Sequence, residues 1–268
     1  RAPSRPMTAL RVAAAVAVCL LAYSVVLLVA NLTGGEVESI GPAVATSTIA
    51  GGDAGTGDGQ QPPTGHGIQP ALLERLKAST VQVRGLDCRA AQFGTGFVVG
   101  SDLIATGAHV VAGIKAPIVR VYGTDVPTRV VAFDPVSDLA LLRPADDLGL
   151  PQALALGQTE AGSVGAVLAH DDDGGPVVLP VLVQRLIRAT GEDIYGIPAG
   201  GRDALELSAR IHSGHSGAPV VDGEGTVVGV LFSRLRGGGS VAYAVQSNEL
   251  VALIEGLSAG ARPAGPCR

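Results

Sequence analysis

Three short stretches carry residue types that together perform nucleophilic acyl transfer. The first is Ile211-His-Ser-Gly-His-Ser-Gly-Ala-Pro-Val-Val221. Ser216 stands there in a Gly-x-Ser-Gly-x-Pro turn that runs into an apolar strand. Gly214 and Gly217 permit backbone geometry that a side chain would obstruct. Such a bend can aim the amides of Gly214 and Ser216 at one point, as an oxyanion hole requires. A serine hydroxyl is a weak nucleophile until a base activates it and a third group orients that base. His109, in Ala105-Thr-Gly-Ala-His-Val-Val111, and Asp138, in Asp134-Pro-Val-Ser-Asp-Leu-Ala-Leu-Leu142, supply the two. Each residue has a plainer reading when taken alone. A Gly-Ser-Gly cluster is ordinary loop punctuation, His109 a satisfied core histidine, and Asp138 a turn residue after Pro135 with Asp134 as a rival carboxylate. The order His, Asp, Ser, each in a sharply defined context, favours the chemical reading.

The elements that would hold these residues are short strands. Aromatic residues make up 3 % of the 268-residue chain and Trp is absent, so small β-branched residues must fill the core. A helix is predicted over Pro70–Lys77, then strands over Thr80–Arg84, Gly96–Val99, Leu103–Thr106, Ile118–Tyr122, Arg129–Phe133 and Leu139–Leu142. A second set follows at Val164–Ala169, Val177–Ile187, Ala204–Ile211, Ala218–Val221, Thr226–Phe232 and Val241–Val245, with a last helix over Ser247–Leu257. Regular short strands separated by Gly, Asp or Pro turns, with little helix between them, define an all-β barrel or sandwich. His109 and Asp138 fall in the first set and Ser216 in the second, so a cleft between the sets would assemble them.

Together with Gly94-Thr-Gly-Phe-Val-Val99, these segments resemble the trypsin-like serine proteases of the HtrA-type bacterial branch, over residues 75 to 250. The resemblance implies a chymotrypsin-like fold of two six-stranded antiparallel β-barrels. It also implies roles: Ser216 as nucleophile, His109 as its base, Asp138 orienting His109, and the amides of Gly214 and Ser216 as oxyanion hole. Asp138 is preferred to Asp134 because it immediately precedes an apolar strand, as the family aspartate does. Two positions depart from the family pattern. His215 stands where Asp or Asn usually precedes the serine, and Gly107 stands where Asn usually lies two residues before the histidine. His215 cannot accept hydrogen bonds as a carboxylate does, so the loop must be held differently, and its titration would make loop order pH-dependent. Residues 207–215 hold no carboxylate and include Arg210, which argues against a preference for Lys or Arg at the cleaved position. The strand Val230-Leu-Phe-Ser233 should line the specificity pocket and favour apolar or small side chains.

Ahead of this region, Val12 to Ala30 is a run of 19 residues without a charge, long enough to cross a bilayer. Arg1, Arg5 and Arg11 precede it, which places residues 1–11 in the cytoplasm and everything after residue 30 outside. A cleaved signal peptide is the competing reading, but Leu28-Val-Ala30 makes a poor cleavage site. Residues 31–67, rich in Gly and Pro, read as a flexible tether, and 68–268 as the protease domain. In an oxidising compartment, Cys88 and Cys267 read as a disulfide. The anchor, the tether, this cysteine pair, the lack of a PDZ module and Gly191-Glu-Asp-Ile-Tyr-Gly196 together resemble the actinobacterial membrane-bound, acid-resistance periplasmic serine proteases. Members of that family carry several membrane spans where this sequence shows one, a difference that sequence upstream of Arg1 would account for. The resemblance implies an extracytoplasmic protease acting under acid or oxidative stress, self-cleavage in the tether, and a cell-wall hydrolase among its protein substrates.

The chemistry calls for no cofactor. His170-Asp-Asp-Asp173, His212 and His215 match no recognised metal-ligand spacing, and Asp171–Asp173 reads as a solvated turn. The net charge is −5 with no basic patch, which argues against nucleic acid as a partner. Two further readings compete with an anchored protease: a binding domain on the same scaffold, its activity lost through His215, and a secreted enzyme.

Overall fold

Strands buried on both faces explain why the sequence reads as unbroken apolar runs rather than clean alternation. The computed structural model describes residues 61–146, 149–234, 240–259 and 264–268. In β6 (Leu139–Pro144), Ala140 and Leu142 point into the first barrel, while Leu139 and Leu141 point into a seam shared with the second. β7 (Val164–His170) mirrors this, with Val167 and Ala169 in the second barrel and Ala166 and Leu168 in the seam. Side chains along a strand alternate between faces, so a strand serving two cores must be apolar at every position.

The first barrel holds β1 (Thr80–Leu86), β2 (Ala91–Gly100), β3 (Leu103–Gly107), β4 (Ile118–Val121), β5 (Thr124–Asp134) and β6. They pair in the order β1-β2-β3-β6-β5-β4, and β4 pairs back onto β1. The second holds β7, β8 (Pro176–Glu192), β9 (Pro198–Ser208), β10 (Pro219–Asp222), β11 (Val227–Arg234) and β12 (Val241–Gln246). Their order is β10-β11-β12-β9-β8-β7, closed by β10 on β7. The all-β architecture in two sets of six strands is therefore as the sequence led us to expect. Among the described residues helices are few: α1 (Pro70–Ala78), the single turn α2 (Ala108–Val111), and α3 (Ser247–Glu255) with a 3-10 turn after it. Leu72, Leu73 and Leu76 of α1 and Leu250 of α3 cover the seam.

Four strands run well beyond what their apolar content predicts. β2 begins at Ala91 instead of Gly96 and β5 at Thr124 instead of Arg129, through backbone pairing with their neighbours, and β8 and β9 extend as well. β8 continues past Ile187 to Glu192, and β9 starts at Pro198 instead of Ala204, pairing Arg188 with Asp203 and Glu192 with Pro198. Arg188-Ala-Thr-Gly-Glu192 has no core to face. Backbone pairing alone extends the ribbon, and Asp193 Oδ1 closes its tip by accepting the amides of Tyr195 (2.8 Å) and Ile197 (3.0 Å). The tip leans on the first barrel, where Ile194 N–H donates to Pro135 O at 3.1 Å. The C-terminal segment is fastened beside it. Cys267 forms a disulfide with Cys88, Gly265 O accepts from Gly113 N–H (3.1 Å), and Tyr195 OH donates to Pro266 O (3.0 Å).

The expected membrane helix at 12–30 and most of the tether lie outside the described residues. Residues 61–67 carry no helix or strand. Among the described residues no helix is long and apolar enough to cross a membrane.

Candidate active site

Strand register brings His109 and Asp138 together. Gly107, the last residue of β3, pairs with Leu139, the first of β6. His109 lies two residues beyond one partner and Asp138 one residue before the other. The Asp138 carboxylate accepts twice from His109: its backbone N–H at 2.8 Å and its ring Nδ1 at 2.7 Å. Asp138 O also accepts from Ala108 N–H at 3.1 Å, which fixes the start of α2. These contacts place the ring hydrogen on Nδ1 and leave Nε2 as the basic nitrogen.

Asp138 is 4 % exposed. Burial opposes its charge, but the His109 imidazole, the hydrogen bonds from that residue and the Arg202 guanidinium outweigh it and hold the carboxyl below the usual range. Arg202 comes from β9 in the other barrel. Its guanidinium donates to Val136 O, two residues before Asp138, and lies 4.3 Å from the centroid of the Phe232 ring. Asp134, the rival carboxylate, instead accepts from Val136 N–H at 2.9 Å and caps its turn.

The loop bearing Ser216 packs on the same wall. Ser216 O accepts from Thr95 N–H of β2 at 2.8 Å, and Gly214 O accepts from Thr95 Oγ1 at 2.9 Å. Gly217 N–H donates to Leu231 O at 2.8 Å. Gly217 has φ +82°, and a Cβ there would come within 2.5 Å of Thr106 Oγ1 and 2.8 Å of Gly107 N. Only glycine lets the serine turn sit this close to the turn that carries His109. Gly94 makes the other half of the contact, because a Cβ on it would meet Val110 of α2 at 2.6 Å and Ser216 O at 3.0 Å. Gly214, φ +84°, is buried against the β7–β8 turn.

His215, His170 and Asp171 are engaged in holding loops. His215 is 1 % exposed; its Nδ1 accepts His212 N–H at 3.0 Å and its Nε2 meets Asp171 Oδ1 at 2.8 Å. Asp171 does lie in a turn, as its composition implied, but it is tied to the serine loop rather than merely solvated. His170 presents Nδ1 to Gly174 O (3.1 Å) and Nε2 to Thr80 O (3.3 Å). Reading the sequence gave no sign of Arg202 or of the bond made by Asp171. Each lies on a strand or turn remote in sequence from the residue it serves, and no local spacing encodes that.

Two closed barrels with a histidine–aspartate pair facing a glycine-bounded serine turn define a class, and the sequence comparison agrees. The trypsin-like peptidase domain matches residues 94–230, and the chain belongs to that family. Among individual relatives, the serine protease Rv3671c of Mycobacterium tuberculosis is 32 % identical over 197 residues, covering 72 % of this chain and 49 % of the relative. The crystal structure of its active form superposes with a TM-score of 0.68 at 28 % identity, covering 77 % of this chain and 94 % of that one. A probable periplasmic serine endoprotease, DegP-like, of Brucella suis is 28 % identical over 174 residues, which is 61 % of this chain and 32 % of the relative. The chain thus spans about half the length of the mycobacterial relative it matches.

Proposed function

We propose that this chain is a serine endopeptidase acting through His109, Asp138 and Ser216. The observation that carries the proposal is the His109–Asp138 pair, its carboxylate buried and 2.7 Å from Nδ1, on a turn packed against the serine loop. In this reading His109 Nε2 takes the Ser216 hydroxyl proton as the oxygen attacks a peptide carbonyl. The amides of Gly214 and Ser216 receive the negative charge that develops on the carbonyl oxygen. His109 then protonates the leaving amine, and water repeats the sequence to release the acyl group. Asp138 stays ionised throughout and stabilises the imidazolium.

The finer reading places the protease domain, residues 68–268, outside the membrane, anchored by residues 12–30 through the tether at 31–67. The uncharged run supports the anchor, and the disulfide between Cys88 and Cys267 supports an oxidising compartment. The periplasmic DegP-like relative points the same way. We assign protein or peptide substrates with apolar or small side chains at the cleaved position, a cell-wall hydrolase among them, self-cleavage in the tether, and a role under acid or oxidative stress. A fluorophosphonate probe tests the core of the proposal. Labelling of the full chain, together with casein cleavage, should vanish in Ser216→Ala and in His109→Ala. Labelling that survives Ser216→Ala would refute it, and a wild type that never labels would favour the binding-domain reading.

A further inference from the structure

We propose that Asp171 is a positioning residue for the serine loop, acting through His215 as a second histidine–aspartate couple. The inference rests on the peptidase reading above and names what holds its nucleophile turn.

The couple is defined by hydrogen bonding alone. His212 N–H donates to His215 Nδ1 at 3.0 Å, so that nitrogen must be bare. The neutral ring therefore carries its hydrogen on Nε2, which lies 2.8 Å from Asp171 Oδ1 and donates to it. The ring is 1 % exposed, so its two nitrogens depend on these protein partners, although the Asp171 side chain reaches the surface and is 45 % exposed. One side chain thereby pins both the start of the loop, at His212, and the residue next to Ser216.

Asp171 is itself well anchored. It follows β7 directly, donates its N–H to Gly175 O (2.9 Å) and accepts Gly174 N–H at its own carbonyl (2.8 Å). The same turn backs Gly214, where a Cβ would come within 2.8 Å of His170 O and 2.9 Å of Asp172 Oδ1. Thr95 Oγ1 joins the two, accepting from His170 N–H and donating to Gly214 O, each at 2.9 Å. The His170 ring carries the turn on to Thr80 O of the first barrel. The residue before the serine is usually a carboxylate or amide, but here it is a ring that accepts within the loop at Nδ1 and donates at Nε2, and Asp171 supplies the acceptor for Nε2 from another element. The titratable groups facing His215 are Asp171, the His212 ring edge-on at 5.8 Å, and Asp172 beyond Gly214. A proton added at Nδ1 would set two N–H groups against each other and expel His212 from the bond.

The test uses the full chain and three variants: Asp171→Ala, Asp171→Asn and His215→Ala. Asp171→Ala should lower kcat for a peptide substrate by about ten- to a hundredfold while KM changes little. Asp171→Asn should recover most of that loss, because its amide oxygen still accepts from Nε2. Amide exchange across residues 212–217 should quicken in Asp171→Ala and in His215→Ala but not in Asp171→Asn. In the unmodified chain, ring ¹⁵N shifts should show His215 protonated at Nε2 and bare at Nδ1. A ring hydrogen on Nδ1, or Asp171→Ala with kcat within about twofold and exchange unchanged, would overturn the proposal. If the wild type neither cleaves nor labels, the peptidase reading falls, and the exchange and ¹⁵N measurements still decide what Asp171 does to the loop.

Discussion

Asp138 meets His109 from a backbone position that few side chains tolerate. Its φ is +56°, in the left-handed region that Asp and Asn enter more readily than other non-glycine residues. Asp138→Asn should therefore fold, yet leave His109 facing an amide and cost about four orders of magnitude in kcat, read by active-site titration beside steady-state rates. Because the native structure depresses the Asp138 pKa, its charge stabilises the fold above the unfolded carboxylate value, and that contribution is lost as pH falls through the folded value. The stability gap between wild type and Asp138→Asn should then be full at neutral pH and close in strong acid, as urea midpoints will show. Arg202 bears on the same carboxylate. In Arg202→Met a cation that helps to hold the Asp138 carboxyl low is gone, so the loss of stability due to Asp138 should begin at higher pH in acid unfolding, whereas Arg202→Lys should move it less. The pairing of His109 with Asp138, and the glycine-bounded turn of Ser216 beside them, were legible in the sequence because each sits in a distinctive local string. Asp171 and Arg202 were not, since a carboxylate in an acidic turn and an arginine after two glycines acquire meaning only from strand pairings.

Element boundaries were legible wherever burial dictated them. β6 and β7 were found almost to the residue because both of their faces are apolar. The outer half of the β8–β9 ribbon was missed for the opposite reason, since main-chain pairing without a core leaves no hydrophobic period to read. That ribbon depends on its tip. Removing the two bonds to the Asp193 carboxylate in Asp193→Ala should cost about 1–2 kcal/mol locally. Limited proteolysis near residues 193–197 should accelerate while the global unfolding midpoint shifts little, because the barrels do not rest on the tip. A large drop in that midpoint would mean that the contact of Ile194 with Pro135 carries more of the fold than its single bond implies.

At the scale of the molecule, the wall that carries His109, Asp138 and Ser216 is made by two barrels that share a seam, and the count of strands was enough to foresee two sets. Closure of each barrel was not legible in the spacing along the chain, which does not reveal which edges meet, and was expected only from the family resemblance. The disulfide reinforces this arrangement from outside. It joins residues 179 positions apart, and a loop of that length corresponds to about 5 kcal/mol in the chain-entropy model. Reductant should lower the urea midpoint of the wild type accordingly and leave the Cys88→Ser/Cys267→Ser double variant unmoved. The same separation has a consequence for biogenesis. At ordinary translation speeds Cys88 is made roughly 10–40 s before its partner. The first barrel has time to fold around a lone thiol before its partner is made. Between residues 88 and 267 the sequence carries no third cysteine, so scarcity guards the thiol through that interval.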